Sequence, residues 1–95
     1  MVTEEDVIKV LEEVYDPELG VDVYSLELIY EINIDGKDLH ILMTFTSPAC
    51  PYGGMLVDEI HERLSDLDGV DEVKVEVTFD PMWQPSEELR AAFGI

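Results

Sequence analysis

The sequence predicts a small α+β domain, a mixed β-sheet packed with helices in the order α-β-β-α-β-α. Three observations predict it. The chain has 95 residues and 46% hydrophobic content, enough for one modest core and one domain spanning residues 1–95. Its apolar spacing switches between a helical period and strict alternation. Its second half runs strand, helix, strand, which implies a right-handed parallel crossover. No repeat, linker or low-complexity tract interrupts this order.

Thr3 is positioned to cap a first helix, and Asp6 three residues on completes an approximate capping box. Val7, Ile8, Leu11, Val14 and Tyr15 follow at helical spacing, and Asp16-Pro17 stops the helix because the residue before proline leaves the α region. Glu18 to Ser25 reads as an ordered, apolar-rich loop that lies on the core. Leu28, Tyr30, Ile32 and Ile34 then alternate on one strand face, and Asp35-Gly36 signals a hairpin turn. The return strand runs from about Leu39 to Thr46, with Leu39, Ile41, Met43 and Phe45 on one face and His40, Leu42, Thr44 and Thr46 on the other. From about Tyr52 to Leu67 the period is helical, with Leu56, Val57, Ile60, Leu64 and Leu67 on one stripe. Gly69 supplies a stop. Val73, Val75, Val77 and Phe79 alternate with Glu72, Lys74, Glu76 and Thr78 as a strand with one wet face. Ser86 caps a short final helix through about Phe93.

Charge excludes several partners. With 23 acidic and 5 basic residues the net charge is −18, so phosphate backbones and anionic lipid are repelled and no nucleic-acid or membrane role is expected. The even scatter of acids and the few lysines favour adaptation to a salty cytosol over recognition of a basic partner. The single cysteine cannot form an internal disulfide, and Met1 to Asp6 lacks the basic and apolar regions of a signal peptide. A cytoplasmic protein is expected.

That cysteine, Cys50, lies between Pro48 and Pro51, after a strand-like run and before a helix-like one. A helix N-terminus would stabilise its thiolate, making it a nucleophile or a soft metal ligand. The alternative is a small buried hydrophobe. Asp16 before proline reads most simply as an Asx turn closing a helix, and Glu18 as a solvated loop residue. His40 and His61 have no partners at metal-ligand spacing and read as surface residues. Trp83, between Pro81 and Pro85, reads as a lid on the sheet, with client docking as the other reading. Gly53-Gly54 would let the helix start approach another backbone closely.

Several segments taken in order, Asp16-Pro17-Glu18, Ser25 to Tyr30, Thr44 to Pro51, Gly69-Val70 and Asp80 to Pro85, resemble the SufT-like and PaaD-like metal-sulfur cluster assembly family. The resemblance runs from about Val7 to the C-terminus. It implies the iron-sulfur cluster assembly domain fold. It also implies a polar site of Asp16, Glu18, Thr46 and Cys50 with Thr44 and Trp83 close by, Cys50 being the metal- or cluster-binding residue. The family usually has Asp and Gly where this chain has Ser25 and Glu27.

The function the resemblance implies is a non-catalytic maturation factor. It would insert iron-sulfur clusters into client apo-proteins alongside other assembly proteins. A cluster normally takes four ligands and this chain offers one thiolate, so any cluster or iron is expected to be transient, shared within a homodimer or completed by external thiols. The alternatives are a PaaD-like accessory of a phenylacetyl-CoA oxygenase system and a thiol enzyme in which Thr46 or Glu18 assists Cys50.

Overall fold

A computed structural model describes residues 2–47 and 51–94, with the backbone alone at residue 93. The elements are α1 (Glu4–Leu11), β1 (Tyr15–Asp16), β2 (Val21–Asp22), β3 (Ile29–Asp35), β4 (Asp38–Met43), α2 (Gly53–Ser65), β5 (Glu72–Val77) and α3 (Glu87–Phe93). The expected α+β order holds, with a short hairpin added between α1 and β3: β1 takes the residues expected to close α1, and β2 lies inside the loop at residues 18–25.

α1 begins with the capping box the sequence signals. The Thr3 side chain accepts from the Asp6 N–H at 3.2 Å, and Asp6 Oδ2 accepts from the Thr3 N–H at 3.0 Å. The helix ends earlier than its spacing suggested. Glu13 and Val14 donate to Val10 and Leu11, so the last turn tightens to i→i+3 bonding. Val14 is fully buried outside the helix, and Tyr15 is 57% exposed because β1 pairs with β2 and turns its ring outward.

The main sheet has the order β3-β4-β5, antiparallel then parallel. α2 supplies the crossover, packs on β5 and meets α1. Leu39, Ile41 and Met43 of β4, Leu56, Ile60 and Leu64 of α2, and Val7 and Leu11 of α1 are all 2% exposed or less and form the core between sheet and helices. The other sheet face carries Glu31, Asn33, His40, Leu42, Lys74 and Glu76, register partners of one another across the three strands.

The alternation expected along β3 is broken. Ile29 is opposite Met43 and Glu31 opposite Leu42, so Tyr30 is the extra residue of a bulge and Ile29 takes the core-facing place. The freed Tyr30 hydroxyl donates to the Pro81 carbonyl at 2.8 Å. β4 also stops at Met43, short of Thr46. Thr44 turns back to β3, donating its N–H to Leu28 O at 2.8 Å, so strand alternation does not set where Thr44 and Thr46 point.

Candidate functional site

β4 and β5 run parallel, and the loops that follow them leave from the same end of the sheet. In open sheets this carboxyl end is where ligand-handling groups collect. Phe45 follows β4 and Phe79 follows β5, and their rings meet edge to face at 5.9 Å. The start of α2 closes on Phe45. A Cβ at residue 53 would overlap the Phe45 ring, so any larger residue there forces the ring to shift, while Gly54 faces open space. The close approach is therefore to a side chain rather than to the backbone the sequence suggested.

Two buried polar side chains stand out among the described residues, Asp16 and Thr44, each fully inaccessible. Both are among the six residues the resemblance implied. They hang from one hydrogen-bonded framework: Val23 N–H donates to Val14 O, Leu28 N–H to Val23 O, and Thr44 N–H to Leu28 O, at 2.8–3.1 Å.

Asp16 Oδ1 accepts from the Glu18 N–H at 2.8 Å, the Asx turn expected of Asp before proline. Its Oδ2 is buried with no hydrogen-bond partner among the described residues. Such an oxygen forfeits its hydration unless another donor or a cation reaches it. Among the described residues the Thr44 hydroxyl makes one long contact, 3.5 Å to the Phe45 carbonyl.

The other expected residues divide. Glu18 is exposed and joins Asp16 through its backbone; Thr46 is half-buried. Trp83 is half-buried and donates from Nε1 to Leu26 O at 2.6 Å. The segment after β5 is thereby pinned on the loop at residues 23–28, where a lid on the sheet was expected. Cys50 lies outside the described residues.

Within that loop, Glu27 adopts φ 61°. This is the left-handed conformation a glycine would take freely, and a side chain there costs about 1–2 kcal/mol. The loop holds it through bonds from Leu26 N–H to Asp22 O, Glu27 N–H to Tyr24 O and Ser25 N–H to Asp22 Oδ2. Departure from the family's usual Gly thus leaves a left-handed turn in place, with strain.

α2 starts differently from the other helices. α1 and α3 carry Glu4, Glu5 and Asp6, and Glu87 and Glu88, in their first turns; α2 carries no acid there and no side-chain cap. In so acidic a chain, the positive end of one helix dipole is left uncompensated by its own first turn. Sequence reading missed this. It also missed that His40 and His61 border one groove of about 450 Å³ at the far end of the sheet, with Asp35, Asp38 and Asp71. His40 Nε2 pairs with Glu76, on the exposed face of β5, at 3.2 Å. Among the described residues no group of three or more His, Cys, Asp or Glu could hold a metal ion, and no helix is long and apolar enough to cross a membrane.

These features define a small α+β domain with two fully buried polar side chains, Asp16 and Thr44, in segments joined by backbone hydrogen bonds. The family model described as "Iron-sulfur cluster assembly protein" matches residues 4–77. A "Fe-S protein maturation auxiliary factor" of Bacillus subtilis is 40% identical, covering 96% of this chain and 93% of the relative. A conserved hypothetical protein from Thermotoga maritima has a solved structure that superposes with a TM-score of 0.87 at 48% identity, covering 99% of this chain and 96% of that one. A Mycobacterium tuberculosis protein, described as associated with Fe-S complex assembly and repair, superposes with a TM-score of 0.59 at 31% identity, over 95% and 82% of the two chains. The chain belongs to the iron-sulfur cluster assembly protein family.

Proposed function

We propose that this protein is an auxiliary factor for the maturation of iron-sulfur proteins. It takes a cluster, or its iron, as transient cargo at Cys50 and passes it to client apo-proteins in company with other assembly proteins in the cytoplasm. The observation that carries this reading is the burial of Asp16 and Thr44 together, with Asp16 Oδ2 lacking a partner, in a chain whose family works on iron-sulfur clusters. The start of α2, three residues after Cys50 and free of first-turn acids, supports a thiolate there. Asp16 Oδ2 supplies a hard oxygen donor or orients the group the thiolate holds. One thiolate and one or two oxygens do not complete a cluster, so the remaining ligands come from outside the chain.

Thiol catalysis is the weaker reading, since it needs a base beside the sulfur. His61 sits eight residues into α2, about 12 Å of helix rise from its start. His40 is engaged with Glu76 on the solvent face.

The test is transfer from anaerobically reconstituted protein to an apo acceptor, together with complementation of a deletion strain. Cys50→Ala folds with native circular dichroism and loses transfer, and Asp16→Asn folds and transfers more slowly. Full complementation by Cys50→Ala would sink the assignment of cargo to the thiol.

A further inference from the structure

β5 is an open edge. Among the described residues it pairs with β4 alone, and two hydrogen bonds fix which of its residues face outward. Thr78 N–H donates to Met43 O, and Thr44 N–H donates toward β3 at Leu28. Odd-numbered residues of β4 therefore face β5, and even-numbered residues of β5 face β4. The N–H and C=O groups of Val73, Val75 and Val77 point away from the sheet and have no partner among the described residues. All three valines are only half-buried, so apolar surface is open beside those backbone groups.

The residues of this edge are complementary to themselves. We propose that β5 strands of two copies pair antiparallel about a two-fold axis at Val75. In that register Val73 of one copy lies opposite Val77 of the other, and Lys74 lies opposite Glu76 twice. All of the directly opposed backbone groups at 73, 75 and 77 are ones the single sheet leaves free. A shift of two residues in one direction sets Lys74 opposite Lys74, and in the other sets Glu76 opposite Glu76, so charge selects the register. Because the axis is perpendicular to the sheet, helices of both copies stay on one face of a six-stranded sheet. The carboxyl ends of the two β5 strands, and the two α2 starts, lie at opposite ends, so cargo shared between two subunits does not form through this interface.

A six-residue edge covers less than the ~1,600 Å² of a standard interface, and each chain carries −18, so the dimer is weak and opposed in dilute buffer. At ~0.15 M KCl the Debye length is ~8 Å, which screens the overall repulsion while sparing cross-strand contacts. Sedimentation equilibrium under these conditions should show a monomer–dimer equilibrium. Amide exchange should show concentration-dependent protection at Val73, Val75 and Val77. Lys74→Glu and Glu76→Lys should each remain monomeric, since each sets like charges opposite one another, and their equimolar mixture should recover the dimer.

Several results overturn the proposal. Wild-type protein could stay monomeric up to ~1 mM, the range of the weakest specific binding. Glu76→Lys could dimerise better than wild type, which would assign association to net charge. Protection could fall at other amides. Finally, an added peptide of alternating lysine and valine could protect the three valines while the protein alone stays monomeric, which would assign the edge to a foreign strand.

Discussion

The two adjacent glycines at the start of α2 should respond with opposite sign to the same substitution. Gly53→Ala places a methyl group into the Phe45 ring, whereas Gly54→Ala places one in open space. Overpacking costs about 1–3 kcal/mol, set against at most about 1 kcal/mol gained from alanine over glycine within a helix. The net expectation for Gly53→Ala is a loss of about 1–2 kcal/mol, the helix gain being smaller at the first residue. Gly54→Ala should gain about 0.4–1 kcal/mol, mainly by restricting the unfolded chain. Urea unfolding at constant m-value measures both, and in a domain of this size 1 kcal/mol moves Tm by about 4–8 °C. Phe45→Leu in the Gly53→Ala background should recover part of the loss, giving a coupling of about 0.5 kcal/mol or more in a double-mutant cycle. If Gly53→Ala stabilises as much as Gly54→Ala, the close packing of Phe45 on the helix start is refuted.

Truncating the buried stripe of α2 should act on the whole fold: Ile60→Ala, at a fully buried position, should cost about 2–5 kcal/mol in the same urea titration, where Cys50→Ala costs far less. If the acidic excess is salt adaptation, Tm should rise from dilute buffer to molar potassium chloride as self-repulsion is screened; a flat or falling Tm would reject that explanation. Asp6 should leave a signature in acid. Its carboxyl is held below the usual range, first by the Thr3 backbone N–H and then by the Thr3 hydroxyl. Its contribution is therefore present above its unfolded pKa and lost as pH falls through the folded one, and Asp6→Asn should flatten that limb of the helicity profile.

The fold was legible where side-chain period is enforced by burial on one face. Leu56, Ile60 and Leu64, and Leu39, Ile41 and Met43, each have one face against the core, so their spacing announces helix and strand directly. What escaped depends on backbone bonding that spacing does not encode. Tyr30 fits an alternating pattern as well as Ile29 does, and the bulge appears only once β4 fixes the register. Val14 fits a helical stripe, yet the pull of Val23 on its carbonyl makes it the root of a hairpin. For the candidate site, the Asx turn at Asp16 follows from Asp-Pro chemistry. The burial of Asp16 and Thr44 does not, because it comes from loops separated widely in the chain. The β5 edge was half visible: Val73, Val75 and Val77 read as one strand face, but which backbone groups remain free follows from Thr44 and Thr78.

Trp83 is the chain's one tryptophan; its indole N–H is tied to Leu26 O at 2.6 Å, and its ring packs half-buried against the edge of the core. Intrinsic fluorescence in this protein therefore reports on the docking of the segment after β5 onto the loop at residues 23–28, while far-ultraviolet dichroism follows the helices. Agreement between the two signals during unfolding means that docking and core melt as one unit. A fluorescence change at lower denaturant instead gives the free energy of opening that segment alone. The protein thus carries its own optical gauge of how firmly the segment after β5 is held on that loop.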